Sequence, residues 1–166
     1  MDQAAGEFES LLEERGIQLA VQVVGPLPPV RADRARVLQV LRNLVSNAAK
    51  FTPAGKSIEI SSEWDARCVR LGVRDEGTGI PEGELEAVFG EFVQSSTTNA
   101  STGGTGLGLA LCREIVLAHG GRIWAENRPL GGTSLLVELP RTDAAESPGS
   151  DEEHTTESPP EAQAAA

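Results

Sequence analysis

Gly103-Gly104-Thr105-Gly106-Leu107-Gly108-Leu109-Ala110 packs four glycines into six positions and runs straight into an apolar pattern at helical spacing, Leu109, Cys112, Ile115 and Val116. The stretch reads as a flexible loop feeding a helix. Glycine lacks a Cβ, so such a backbone can reach φ > 0 and approach a ligand closely. The helix start that follows offers unpaired N–H groups and the positive end of a helix dipole, which suits a phosphate. A loop of this composition also makes a plain turn between elements, so its surroundings decide.

Upstream, Asp33 is placed to cap a long helix. At about 100° per residue, Val37, Leu41, Leu44, Val45 and Ala48 share one broad apolar face. Asn43, Asn47 and Lys50 fall within roughly 60° of one another on a different face. A solvated face would account for the lysine. It accounts less well for paired asparagines, because a carboxamide inside a helix competes for backbone hydrogen bonds and weakens it. A ligand explains them better: carboxamide oxygens are hard donors suited to Mg²⁺, and an ammonium suits phosphate.

Residues 57–64 and 68–73 alternate as two strands joined by a hairpin turn at Asp65-Ala66-Arg67. Asp75-Glu76-Gly77-Thr78-Gly79-Ile80-Pro81 follows directly. A carboxylate at a strand end, beside two glycines, can accept a hydrogen bond from an exocyclic amine lying against bare backbone. A tight turn with solvent-facing acids is the other reading. Residues 82–89 read as a short helix with Leu85, Val88 and Phe89 inward, and Phe92 closes the segment. Residues 93–102 are polar, hold no Arg or Lys, and read as a lid over a ligand. The glycine-fed helix extends to about His119, Gly120-Gly121 break it, and strands over 122–127 and 133–139 follow, with Gly131-Gly132 as their turn. Ahead of all this, 4–15 reads as a helix, 17–23 as a half-buried strand and Gly25-Pro26-Leu27-Pro28-Pro29 as a connector.

The 166 residues carry a net charge of −11, spread unevenly. Seven of the 25 acids lie in residues 142–166, which hold no Lys or Arg and no Val, Ile, Leu, Phe, Trp or Tyr. A segment that cannot bury apolar surface cannot offset its ordering entropy. The sequence therefore predicts one folded domain over 1–141 and a disordered acidic tail over 142–166. No basic stripe with interleaved aromatics supports nucleic-acid binding. The apolar runs are too short for a membrane segment and no signal pattern opens the chain, so a cytoplasmic location is expected. Cys68 and Cys112 sit in apolar segments and read as buried reduced thiols. Of the two histidines, His119 reads as structural and His154 lies in the acidic tail.

Five stretches in order, Asn-Leu-Val-Ser-Asn-Ala-Ala-Lys-Phe (43–51), Asp-Glu-Gly-Thr-Gly-Ile-Pro (75–81), Val-Phe-Gly-Glu-Phe (88–92), Gly-Gly-Thr-Gly-Leu-Gly-Leu (103–109) and Gly-Gly-Thr (131–133), carry a family resemblance. Together they resemble the N, G1, F, G2 and G3 boxes of the catalytic ATP-binding domain of sensor histidine kinases. The resemblance implies the Bergerat fold of the GHKL superfamily, shared with gyrase, the heat-shock chaperone ATPases and MutL. That fold is an α/β two-layer sandwich, a mixed β-sheet packed on about three helices, with an ATP lid between helices. No Gly-Lys-Ser/Thr follows the glycines and no strand–helix–strand unit is read before them, so neither a P-loop nor a Rossmann fold is expected.

Carried over by position, the resemblance implies ATP and Mg²⁺ as cofactors, with Asn47 as the Mg²⁺ ligand, Asn43 assisting and Lys50 on the phosphates. It implies Asp75 as acceptor for the adenine amino group, Gly77 and Gly79 as the bare backbone under the base, and Thr133 at the adenine end. Gly104, Thr105, Gly106, Leu107, Gly108 and Leu109 would form the lid base around the phosphates. Phe89 and Phe92 would pack the lid's root, and Gly90 would loosen it. The implied activity is phosphorylation of a histidine on a dimerisation hairpin, none of which is read in these residues, with a response regulator as indirect partner. The superfamily's hydrolases carry Glu at the position of Asn43; a carboxamide cannot act as a general base towards water, which favours transfer over hydrolysis. The alternative is a nucleotide-dependent protein-binding module, or an ATP-binding remnant without phosphotransfer.

Overall fold

The computed structural model describes residues 2–96 and 105–142. The expected tail beyond Thr142, the later part of the lid, and Gly103 and Gly104 of the glycine stretch lie outside these.

Helix α1 (Asp2–Glu13) gives way at Gly16, φ 66°, to strand β1 (Gln18–Val23). Helix α2 (Arg34–Phe51) begins where its cap was expected. The Asp33 carboxylate accepts from the N–H groups of Ala35 and Arg36 at 2.7 and 3.2 Å, a contribution of about 1 kcal/mol. The helix stops at Thr52, held extended at φ −86° and ψ 121°, because the following proline disfavours the helical region. Strands β2 (Ser57–Trp64) and β3 (Cys68–Asp75) form the expected hairpin, with Asp65 Oδ1 accepting from the N–H groups of Arg67 and Cys68 across the turn. β3 runs past the expected 68–73 and ends on Asp75. Helix α3 (Gly108–Ala118) and strands β4 (Arg122–Asn127) and β5 (Thr133–Pro140) complete the order.

The helix expected over 82–89 is instead two 3-10 turns, Glu82–Glu84 and Ala87–Phe89. Its inward face is as expected, with Leu85 partly buried and Val88 and Phe89 buried. A stretch this short, with Gly83 inside it and Pro81 and Gly90 at its ends, does not recover the cost of nucleating an α-helix.

Among the described residues the strands form one sheet in the order β1-β2-β3-β5-β4, with β1 parallel to β2 and the other pairs antiparallel. Parallel neighbours need a crossover, and α2 supplies it. The chain thus contains a strand–helix–strand unit, β1–α2–β2, which the sequence reading did not find. Parallel pairing leaves no local mark, and the proline connector hid it. The unit does not feed the glycine stretch, which follows the 3-10 turns rather than a strand.

One face of the sheet, with Ile58, Val73, Leu135 and Val137, packs on Leu12 of α1, Leu44 and Val45 of α2, and Cys112 and Val116 of α3, all essentially fully buried. The other face is charged. Arg70 lies between Glu63 and Glu138, Arg74 pairs with Glu59, and the Arg122 guanidinium sits 4.9 Å from the Trp124 ring centre. A sheet with one solvated face has room for only one helical layer, hence the two-layer sandwich.

Two expectations fail at the sheet's margins. β1 is an edge strand: Leu19 is half-buried, but Val21 and Val23 are 52% and 47% exposed, because among the described residues nothing covers the strand's far half. Cys112 is buried and free as expected, whereas Cys68 is only half-buried. It lies two residues from Arg70, on the solvated face, with its thiol 3.6 Å from the Asp65 carboxylate. His119 is structural. Its Nδ1 bonds the Ile115 carbonyl at 2.7 Å and its Nε2 accepts the Asp33 N–H at 3.1 Å, tying the end of α3 to the start of α2. Among the described residues no helix is long and apolar enough to cross a membrane.

Candidate functional site

Helix α2 commits Leu44, Val45 and Ala48 to the sheet, so the stripe of Asn43, Asn47 and Lys50 faces away from the core. All three are half-buried and line one cavity of about 210 Å³. The Asn43 carboxamide also donates to the Gly108 carbonyl at 3.4 Å, joining α2 to the first residue of α3.

Asp75, the last residue of β3, lines the same cavity and is 4% exposed. Its Oδ1 accepts from the backbone N–H groups of Gly77 at 2.8 Å and Thr133 at 3.1 Å. Burial pushes its carboxyl above the ordinary value of 3.8, against the pull of those two N–H groups and of Arg128. Thr133 is buried beside it and also lines the cavity. Gly79 lines it with φ 78°, a left-handed backbone that a side chain would strain. Gly77 does not line it. A Cβ there would stand 2.6 Å from the Phe51 carbonyl oxygen, so its bareness lets the end of β3 fit against the end of α2.

Of the glycine stretch, Thr105, Gly106, Gly108 and Leu109 line the cavity. Leu107 does not and is 39% exposed, while Gly104 lies outside the described residues. Among those residues no side chain caps α3, whose first N–H groups are left for another acceptor. The root of the lid differs from expectation. Phe89 is buried, but the Phe92 ring is 72% exposed, because its backbone turns left-handed at φ 60°. The Phe92 backbone packs there instead, 2.8 Å from where a Cβ on Gly106 would stand. Nor does Gly90 loosen the root. Val93 Cγ2 and the Ala87 carbonyl oxygen come within 2.9 and 3.1 Å of its missing Cβ, so the glycine allows close packing.

The sequence reading missed the side chains that hold the loop after Asp75. Glu76 accepts from both the N–H and the hydroxyl of Ser57, at 2.8 and 2.9 Å. Asn127 pairs with both backbone groups of Ile80, and Arg128 donates to the Asp75 carbonyl. Further on, Glu84 accepts from Ser95 Oγ and the Ser96 N–H, fixing the start of the lid. Asn127 and Arg128 act across 47 and 53 residues, so no local pattern marks them. The one available signal was a carboxamide ending a strand.

Residues 32–143 match the model of the family described as Histidine kinase-, DNA gyrase B-, and HSP90-like ATPase. The chain belongs to this family. The ATPase domain is 39% identical over 139 residues to the adaptive-response sensory kinase SasA of Prochlorococcus marinus (strain MIT 9303), covering 81% of this chain and 36% of SasA. It resembles the catalytic domain of the histidine kinase ThkA, solved free of nucleotide, at 36% identity and TM-score 0.71, covering 84% of this chain and 93% of that one. ThkA in complex with the response regulator protein TrrA matches at 35% identity and TM-score 0.68, over 86% of this chain and 40% of that one. Full-length ShkA in complex with AMPPNP matches at 33% identity and TM-score 0.73, over 87% and 30%. The ATPase domain spans about a third of the length of the curated relatives it matches. The fold is that of the catalytic domain of sensor histidine kinases.

Proposed function

We propose that this domain binds Mg²⁺-ATP and passes the γ-phosphate to a histidine on the dimerisation hairpin of a sensor kinase, in the cytoplasm, with a response regulator downstream. One observation carries the reading: Asn43, Asn47 and Lys50 of α2, Asp75 of β3 and the start of α3 all line a single cavity. The AMPPNP of the ShkA structure and the response regulator bound to ThkA support the classes of ligand and partner.

Asp75 takes the base. With Oδ1 held by Gly77 and Thr133, the carboxylate is fixed in orientation, and its other oxygen accepts from the exocyclic amine of adenine. Gly79 offers bare backbone to the ring, Gly77 keeps the loop close, and Thr133 flanks them. At the other end, Lys50 and the N–H groups opening α3 hold the phosphates, beside Thr105, Gly106, Gly108 and Leu109 of the cavity wall.

Asn47 presents a carboxamide oxygen for Mg²⁺, with Asn43 beside it. Among the described residues no three of His, Cys, Asp or Glu come together as a metal site. That donor set fits an ion that arrives with the nucleotide, since Mg²⁺ keeps waters and phosphate oxygens alongside one or two protein ligands. Bound there, the ion would neutralise phosphate charge. The chain's own part is to hold and orient. Asn43 has no basic oxygen with which to activate water, so an external acceptor is favoured over hydrolysis.

Incubation of the full chain with γ-labelled ATP and a separate hairpin protein bearing its histidine tests the proposal. Label on that histidine is expected. An unlabelled hairpin, with nucleotide still bound, would contradict phosphotransfer and leave a nucleotide-dependent binding module.

A further inference from the structure

We infer that Asn127 and Arg128, at the β4–β5 corner, form a clamp that sets the domain's preference for adenine over other bases; the inference deepens the base-site reading above and rests on it. The loop after Asp75 carries the backbone on which the base would lie. Glu76 ties its near end to Ser57 at the start of β2. Its far end has no strand partner. There Asn127 takes over: its Oδ1 accepts the Ile80 N–H at 2.9 Å, and its Nδ2 donates to the Ile80 carbonyl at 2.6 Å. A carboxamide thus makes the pair of bonds that a neighbouring strand would make, using one residue.

Asn127 does not line the cavity, whereas Gly79 and Ile80 do, so it acts through them as a positioning residue. Its oxygen also lies 3.1 Å from where a Cβ on Gly79 would stand, which packs it against the bare backbone. The next residue holds the other half of the site. Arg128 Nη1 donates to the Asp75 carbonyl at 2.7 Å, and its own N–H donates to Gly132 at 3.0 Å. Two consecutive residues therefore set the acceptor and the floor relative to each other.

That relation decides which base fits. An adenine amine donates to Asp75, whereas a hypoxanthine carbonyl at the same place sets acceptor against acceptor, and such a site rejects the mismatched base. The rejection holds only while the loop is fixed to within about 0.5 Å. Asn127 is exposed, so its removal passes the Ile80 groups to water and strands no buried polar atom. The fold is expected to survive; the register of the loop is not.

Calorimetric titration of the full chain with ADP and with inosine diphosphate, alongside thermal melting, reads the clamp as a ratio of affinities. Asn127→Ala and Arg128→Ala are each expected to lower the ADP preference by about tenfold or more, a readout that general destabilisation does not move. A wild-type ratio in both folded variants overturns the inference. Should Asn127→Ala not fold, Asn127→Asp, which keeps the acceptor for the Ile80 N–H, is read by the same ratio, and an unchanged ratio overturns the inference equally. Asp75→Asn separates the two levels. Wild-type ADP affinity in that variant brings down the base-site reading and the clamp with it. Loss of ADP in Asp75→Asn, with an unchanged ratio in the clamp variants, leaves the base site standing and overturns the clamp alone.

Discussion

Asp75 Oδ1 and the backbone N–H of Thr133 meet at 3.1 Å across the junction of β3 and β5, so the sheet itself orients the carboxylate that lines the cavity. Burial raises the Asp75 carboxyl above 3.8. The folded chain then binds that proton more tightly than the unfolded chain. Stability falls as pH rises through the window above 3.8, and the cost of the charge persists at neutral pH. Asp75→Asn removes the charge and keeps an oxygen for Gly77 and Thr133. Its melting temperature at pH 7 is expected to match or exceed that of the wild type while ADP binding is lost. A clear fall in melting temperature would make Asp75 structural instead.

Lys50 and Asp75 sit at opposite ends of the proposed ligand, which separates their effects. Lys50→Ala is expected to weaken binding of an ATP analogue by about 1.5–3 kcal/mol, the worth of a charge-assisted hydrogen bond, and to leave adenosine binding unchanged. Calorimetry with both ligands checks this. Equal losses for adenosine and the analogue would move Lys50 away from the phosphates.

Gly132 has φ 89°, and a Cβ there would run into the Asp75 carbonyl, whereas a Cβ on the neighbouring Gly131, at φ 92°, would meet only the Gly77 carbonyl oxygen at 4.0 Å, an ordinary contact. Gly131→Ala meets only backbone strain, of order 1–3 kcal/mol. Gly132→Ala meets that strain and a backbone collision, so it is expected to lose more stability and also ADP binding. Denaturant melts of the two variants give the comparison. Equal losses would mean that the packing against Asp75 matters little.

The two thiols differ in the same testable way. Burial pushes the Cys112 thiol up to about 11, with Asn43 pulling slightly the other way, and only the thiolate reacts readily. Native protein at pH 7 is expected to leave Cys112 unmodified by a thiol reagent, and denatured protein to expose it. Rapid native labelling of Cys112 would show that α3 opens away from the core.

His119→Ala removes the bond from the Asp33 N–H that links α3 to the cap of α2, and the Nδ1 contact with Ile115 within α3 that orients the ring. About 1–2 kcal/mol of stability is expected to go with them, while nucleotide affinity stays at the wild-type level. A change in affinity would couple this distant corner to the cavity.

Most of the site was legible because its residues are costly or odd where they stand. Asn43 and Asn47 weaken the helix that carries them, and the glycines flanking Asp75 and opening α3 sit where no packing pattern asks for them. What stayed hidden depends on partners far along the chain. The parallel pairing of β1 with β2 leaves no periodic trace, and its exposed Val21 and Val23 alternate as buried residues would. The left-handed turn at Phe92, which puts the ring in solvent, is set by the close approach of Gly106. Asn127 and Gly132 reach the candidate site through contacts with Ile80 and Asp75 that only the folded sheet creates.

The most direct test is calorimetric titration of the full chain with ADP and AMPPNP, with and without Mg²⁺, and with Asp75→Asn as control. Saturable binding that tightens with Mg²⁺ and disappears in the control is the predicted result. A folded chain that binds neither nucleotide, or a control that binds like the wild type, would contradict a single cavity built to hold Mg²⁺-ATP.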